Sequence, residues 1–534
     1  MMARSEAWRS FTSLTIAPLR TALSAAPVLT YAPVLLLSTV VGYVVVMALS
    51  QVFFTSAGYD DSYHGTIARN LVEGRGYVTA YGEVVQKLNP MITVGPALIL
   101  PAALFHGTLG SHYWVNNLIV PLVTLPLLGA IIWLLIQRFR VKQLTVALML
   151  VMLLLFTTER TANGEMFRFM FLWSHLMGDI PAALAAVLAV MLVCLNTPDR
   201  RVHLLAGVCL GLAFYMKVFV VYTVPGLVLL YAWTTISERR IAMPFLFAGG
   251  VLLVAAPFEL FKLTQLGSWD AYVSNTQSVI GFYRGWDKLS VGNDDFSTIG
   301  SLTRQLSIHF AVVPLLAWIG LLGLDRARSL RVPAEDQPRA RLAAVMLCAA
   351  SIHIAWWLLF NDAGWVRHAM PAAVYLVFGL GAAAELSPTP VLRYAGVAVF
   401  AVLLMSQVDA IGGLTPRVDR EPRLTALLNT SSYMESIRSE DTSFWGCGWW
   451  ANRDLTMAGG HHFYDCNDDA SVARHMAAGE RILLVRSEFY NWDNNAKFGE
   501  VAADCDERKL FANGPFVICD ATPWFEARVG KPSS

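Results

Sequence analysis

The sequence predicts a polytopic α-helical membrane protein of roughly eleven spans followed by a small α/β domain. Three observations carry that prediction. Of the 534 residues, 55% are hydrophobic and only 15% charged, with a mean hydropathy of +0.50. Soluble domains carry roughly 25% charged residues, so this chain lacks the polar surface to face water on all sides. Apolar runs recur along it, among them Ala32–Phe54, Leu118–Leu135 and Phe245–Ala256, and a helical span needs about 20 such residues. Basic residues, finally, cluster between the runs.

The clusters are Arg138–Arg140–Lys142, Arg200–Arg201, Arg239–Arg240, Arg326–Arg328–Arg331 with Arg339–Arg341, and Arg393. Short cytoplasmic loops carry an excess of Lys and Arg. Placing every cluster on that side, together with the N-terminus, predicts spans near 32–54, 118–137, 143–158, 179–195, 203–217, 219–235, 241–262, 306–324, 342–360, 369–386 and 391–409. The residues before 32 lack the short apolar core and small-residue site of a cleaved signal, so 32–54 is expected to remain as the first span. Met91–Phe105 is apolar but broken up by Pro90, Pro96 and Pro101, and is expected to be re-entrant or interfacial. The path exports residues 55–117, 159–178, 263–305 and everything after about 410. Residues 1–409 thus form a transmembrane module and 410–534 an exported domain. A net charge of +1 leaves no basic face for nucleic acid.

Beyond Ile411 charged residues become frequent, and β-like runs at Arg481–Arg486 and Phe516–Cys519 accompany a helix-like Asp469–Ala478. Cys194, Cys209 and Cys348 fall in predicted spans, where a small buried hydrophobe is the expected role. Cys447, Cys466, Cys505 and Cys519 fall in the exported domain, an even number that reads as two disulfides. Cys447–Cys466 with Cys505–Cys519 is the first choice among three pairings. A zinc site near His461 and His462 is the alternative, although the spacing fits no common ligand pattern.

Candidate chemistry begins just past the first span, at Tyr59-Asp60-Asp61-Ser62-Tyr63. Two adjacent carboxylates at a membrane boundary are costly unless something uses or pairs them. Ile67, Leu71 and Val72 have helical spacing, with Gly74 and Gly76 as stops. An amphipathic interfacial helix would therefore hold both aspartates at its start, where the helix dipole favours negative charge. Asp60 as a helix cap, with Asp61 paired to Arg69, explains the same residues.

Asp60-Asp61-Ser62-Tyr63, then Ala68-Arg69-Asn70-Leu71-Val72-Glu73-Gly74-Arg75-Gly76, Gly82-Glu83 and Asn89-Pro90, resembles the first outer loop of GT-C-fold glycosyltransferases. Protein mannosyltransferases, the lipid A aminoarabinose transferase and mycobacterial arabinofuranosyltransferases belong to that group. The Asp-Asp form is most similar to the arabinofuranosyltransferase-like branch, from which this chain departs at Tyr63–Ile67. Gly211-Leu212-Ala213 leading to Met216-Lys217 is similar to a segment joining two middle spans of the family. Arg367-His368-Ala369-Met370-Pro371 is similar to the entry to a late span.

The resemblance implies an enzyme that moves a sugar from a polyprenyl phosphate to an envelope glycan, lipid or protein, with inversion. It places the catalytic acid at Asp60 or Asp61. A departing phosphate needs cations or a metal, and Lys217 and Arg367 suit that task, with Lys87 and Arg168 behind them. For Lys217 a snorkelling side chain is the plain alternative, and for Arg367 a surface pair with Asp362. Asp179, in Gly178-Asp179-Ile180-Pro181, sits where the family often carries an acid that orients substrate or metal; a helix cap explains it equally. Glu165 and His175 are its neighbours. Asp294–Asp295 fits an outer loop over the site and solvated loop charges equally, whereas Trp449–Trp450, which could stack on a sugar, reads better as interface aromatics. No cofactor is required, although two aspartates could ligate magnesium or manganese. The implied location is a bacterial plasma (inner) membrane, with the C-terminal domain periplasmic. A transporter or flippase, or a non-catalytic scaffold, is the competing class; the first would place ionisable residues at mid-membrane.

Overall fold

The computed structural model describes residues 27–56, 59–81, 84–89, 92–110, 112–156, 159–160, 166–167, 173, 176–289, 333–360, 366–386, 419–447, 452–487 and 496–529. Helix α1 (Pro27–Phe54) leads into α2 (Tyr59–Val72), a hairpin of β1 (Val78–Tyr81) and β2 (Val84–Lys87), and a short α3 (Pro96–Leu109). Then come α4 (Tyr113–Gln137), α5 (Gln143–Phe156), a two-residue ribbon of β3 (Glu159–Arg160) and β4 (Met166–Phe167), α6 (Asp179–Cys194) and α7 (Arg200–Met216). A 3-10 turn at Val218–Thr223 opens α8 (Val224–Glu238), followed by α9 (Ala242–Leu266), α10 (Trp269–Leu289), α11 (Gln337–Phe360) and α12 (Met370–Leu386).

Five of these elements are long and apolar enough to cross a membrane: Tyr31–Phe54, Tyr113–Gln137, Val218–Glu238, Ala242–Leu266 and Ala334–Leu359. Shorter apolar helices include α3, α6 and α12. Surface chemistry agrees. On α9, Phe245, Leu252, Leu253 and Leu260 are 60–71% exposed, an apolar face that water would not tolerate and lipid does. The predicted spans 306–324 and 391–409 lie outside the described residues. Helix α3 has 14 residues, about 21 Å at 1.5 Å per residue. That is short of a ~30 Å hydrocarbon core, so Met91–Phe105 does not yield a full span.

Polar contacts sort the bundle into two ends. At one, Glu238 joins Arg341 (3.1 Å), Arg240 (3.2 Å) and the Asn196 amide (2.7 Å), while Arg140 approaches Glu335 (3.8 Å). The basic clusters of separate loops therefore share one end. At the other, Tyr113 donates to the Phe53 carbonyl (2.8 Å) and Asn117 to that of Thr55 (3.3 Å). There α1 ends and α4 begins, and there α2 lies.

The second core is built from Leu424, Leu427, Trp445, Ile482–Val485, Phe516, Ile518 and Phe525. It surrounds a five-stranded sheet of β5 (Thr442–Gly446), β6 (Tyr464–Asp465), β7 (Arg481–Arg486), β8 (Lys509–Asn513) and β9 (Phe516–Asp520). The strand order is β6-β5-β7-β9-β8, parallel across the first three and antiparallel beyond. Around it stand α13 (Pro422–Ser436), α14 (Arg453–Gly459), α15 (Asp469–Ala477), α16 (Ala496–Glu507) and α17 (Thr522–Val529). Disulfides join Cys447 to Cys466 at the ends of β5 and β6, and Cys505 to Cys519 between α16 and β9. These sulfurs are thereby withdrawn from any zinc site.

This domain is docked on α2. Arg69 donates to the carbonyls of Thr456 (3.1 Å) and Met457 (3.3 Å) while bridging Glu73 (2.7 Å). Arg75 meets His462 at 2.9 Å, and the Glu421 carboxylate accepts from Ser56 N (3.2 Å) and Oγ (3.1 Å). His461, hydrogen-bonded to Ser431 at 2.9 Å, is buried behind this contact. Burial, with Arg438 and Arg69 adding to it against the pull of Glu435, holds its pKa down from 6.5 to about 4. The unfolded chain therefore takes up the proton first as pH falls. Stability from this residue is complete above about pH 6.5 and declines toward pH 4, by about 2–3 kcal/mol. Melting of the full chain from pH 7 to pH 4.5 should show that loss, and His461→Phe should flatten it.

Candidate functional site

Helix α2 carries the acidic pair at its first turn. Asp61 is completely buried, and one of its oxygens accepts from the Ser62 amide at 3.1 Å. Asp60 occupies the preceding helical position. The expected interfacial helix turns out to be enclosed. Ser62, Tyr63, His64, Thr66, Ile67 and Ala68 are all buried, because α3, β1 and α14 pack around the helix and Asn116 of α4 fills the space at Gly65. Val72, expected on one face with Ile67, is 43% exposed while Ile67 is buried, since the helix is ending there and Gly74 turns the chain at φ +76°. Arg69 is committed to Glu73 and to α14, which removes it as the partner expected for Asp61.

Two candidates from distant parts of the sequence meet directly. Asp179, first residue of α6, and Lys217, in the turn after α7, pair at 3.6 Å with side chains 1% and 6% exposed. The Lys217 ammonium also donates to the Met177 carbonyl (3.3 Å) and the Thr93 hydroxyl (3.4 Å), and stands 5.9 Å from the Phe219 ring centroid. Gly178 occupies the N-cap of α6, so Asp179 is not the cap. Lys217 does not snorkel either; it points into protein.

The backbone explains how an ammonium comes to lie between helices. After Met216 the chain turns extended at Lys217 (φ −157°, ψ 128°) and restarts as the 3-10 turn. Two glycines receive the interruption. Gly95 N donates to the Met216 carbonyl at 3.1 Å, and a Cβ at 95 would lie 1.9 Å from the Tyr215 carbonyl oxygen. Gly178, at φ +80°, would place one 2.9 Å from the Met216 oxygen. Gly95→Ala should therefore push the turn away and cost about 1–3 kcal/mol, read as a lower melting temperature. Unchanged melting would show that the turn yields freely.

Arg367 lies in the 3-10 turn Val366–Ala369 before α12. The next residue, His368, packs its ring 5.3 Å from that of Phe219, and its carbonyl accepts from His353 at 2.8 Å. The backbone at 367 thus stands beside the Lys217 turn, although the two are far apart in sequence. Lys87 is exposed on β2 and makes no ion pair among the described residues. Glu165, Arg168, His175, Asp294–Asp295, Asp362 and Trp449–Trp450 lie outside the described residues. Among those that are described, no three His, Cys, Asp or Glu side chains are grouped to hold a metal.

Sequence reasoning passed over two features. Arg453 of α14 is buried with its guanidinium 5.7 Å from the Tyr63 ring centroid, a contact between domains that no local pattern announces. Glu259, the lone acid in Ala242–Leu266, does carry a signal, because a carboxylate in an apolar span is there for a reason.

No protein-family model matches this chain, and no curated protein matches it in sequence. Solved structures do resemble it. The Archaeoglobus fulgidus oligosaccharyltransferase in its apo form aligns over 86% of this chain and 70% of its own, with 11% identity and a TM-score of 0.48. The same organism's oligosaccharyltransferase AglB, in complex with an inhibitory peptide and a dolichol-phosphate, aligns over the same shares, with 11% identity and a TM-score of 0.46. ArnT from Cupriavidus metallidurans in the apo state covers 94% of this chain and 99% of its own, at 15% identity and a TM-score of 0.39. Likenesses of this degree leave the functional assignment to the residues of this chain.

Proposed function

We propose that this protein is a membrane glycosyltransferase of the GT-C type. It transfers a sugar from a polyprenyl phosphate to an envelope glycan, lipid or protein outside a bacterial plasma membrane. The observation that carries this is the buried Asp179–Lys217 pair, set in the bundle away from the basic clusters and formed by residues the family motif had marked. A transporter would instead place its ionisable residues at mid-membrane; Asp179 begins a helix and Lys217 follows the end of one.

The acceptor hydroxyl oxygen attacks the anomeric carbon, and the bond from that carbon to the phosphate oxygen breaks with its electron pair leaving on phosphate. The hydroxyl proton passes to a carboxylate of the acidic pair. Asp60 is the better base, because a base must touch the acceptor and Asp61 exposes no surface. Lys217 neutralises the phosphate as it gains charge. Its contacts with Thr93, Met177 and Asp179, at 3.3–3.6 Å, are longer than the roughly 2.9–3.0 Å typical of good N–H···O bonds. Asp179 holds the ammonium in place, and Arg367 is a second phosphate ligand. A magnesium or manganese ion would add charge at the phosphate. Asp60 and Asp61 could supply oxygen ligands to it.

The test is transfer by purified protein in liposomes, using radiolabelled polyprenyl-phosphate sugars and envelope extracts as acceptors. Radiolabel should move to a product that wild type makes and Asp60→Asn does not. If no polyprenyl donor is turned over while a small solute crosses the liposome wall, the protein is a transporter.

A further inference from the structure

Glu259 sits near the end of α9 and gathers three partners. Its Oε1 accepts from the Tyr215 hydroxyl at 2.6 Å, and its Oε2 accepts from the Tyr272 hydroxyl at 2.6 Å. Lys262, one turn on, pairs with Oε2 at 3.2 Å and lies 5.2 Å from the Tyr272 ring centroid. A carboxylate so placed is half-buried and costly unless fully bonded. Here both oxygens have charge-assisted bonds, which are the strong kind.

The two tyrosines belong to different structures. Tyr215 lies two residues before Lys217, is buried, and packs its ring 4.8 Å from Phe258 beside Glu259. Tyr272 belongs to α10, which also reaches the first loop through Asn275, donating to the Leu88 carbonyl at 2.8 Å. The Tyr215–Lys217 turn is thus held from two sides. Gly95 bonds the Met216 carbonyl on one, and Glu259 bonds the Tyr215 side chain on the other.

We propose that Glu259 is a positioning residue which, through Tyr215, sets where the Lys217 ammonium stands and so tunes affinity for the donor's phosphate. The proposal rests on Lys217 as a phosphate ligand. Tyr272 bonds the same carboxylate at the same distance and belongs to α10, not to the Lys217 turn, which makes it the natural control.

The experiment measures binding of farnesyl phosphate to the purified full chain, with amide hydrogen exchange across residues 213–219 and melting temperature on each variant. Tyr215→Phe and Glu259→Leu should weaken binding roughly 10-fold, as loss of a hydrogen bond to a charged group does, and speed exchange in that segment. Glu259→Gln retains an acceptor for Tyr215 and should recover most of the loss. Tyr272→Phe should leave both binding and exchange in 213–219 near wild type. Equal effects of Tyr215→Phe and Tyr272→Phe, or losses that track melting temperature, would overturn the proposal by reducing Glu259 to a structural brace. If Lys217→Ala weakens binding and Tyr215→Phe does not, positioning through Tyr215 is wrong while the phosphate site stands. If Lys217→Ala leaves binding unchanged, the phosphate site itself fails, and exchange in 213–219 still decides whether Glu259 anchors the turn.

Discussion

Asp60→Asn is expected to lower turnover by about 10²–10⁴-fold, the usual worth of a positioned general base, with donor affinity unchanged. An amide keeps the size of the carboxylate and one acceptor oxygen, so the variant should fold. The expected effect is therefore confined to kcat. Asp61→Asn is the necessary companion. Its side chain is enclosed, with one oxygen on the Ser62 amide, and an amide oxygen could accept that bond equally well. A smaller loss is expected there, because a group without exposed surface supports the acid beside it and does not meet the acceptor. Should Asp61→Asn prove the more damaging, the two roles exchange. Should both variants turn over at the wild-type rate, the general-base assignment is lost altogether.

The second large effect concerns the Asp179–Lys217 pair. Removing one member of a buried pair leaves an uncompensated charge and costs about 3–5 kcal/mol. Asp179→Leu and Lys217→Met should each melt well below wild type in detergent. Combining them should restore much of the stability, since no lone charge remains, yet transfer should stay absent because the ammonium is gone. The double variant thus separates folding from chemistry. Near-additive losses of stability in that cycle would mean that the two side chains do not act as a pair.

Apolar helices were legible because each is a run of apolar residues, five of them long enough to cross a membrane, and that signal is local. Most of the predicted segments coincide with described helices to within a turn or so at either end, among them 143–158 with α5 and 369–386 with α12. The span predicted at 219–235 begins instead as a 3-10 turn, because the chain breaks at Lys217 and must restart. In the C-terminal domain Arg481–Arg486, Phe516–Asp520 and Asp469–Ala477 could be read from their patterns. Strand β6, two residues long, could not. It exists only because β5 offers an edge beside it.

Within the site, sequence by itself determined which residues carry charge where charge is unexpected: Asp60–Asp61 after the first span, Asp179 before a later one, Lys217 in the middle of an apolar stretch. It also left their meaning divided, since capping and snorkelling explain the same letters. Only the tertiary structure decided that Asp179 and Lys217 face each other, because their distance depends on how α6 and α7 pack and on two glycines, at 95 and 178, that let the turn approach. Enclosure of α2 by the C-terminal domain was decided the same way. Charge, hydropathy and turn propensity are properties of short segments, whereas a contact between residues 69 and 456 depends on how the whole chain between them folds.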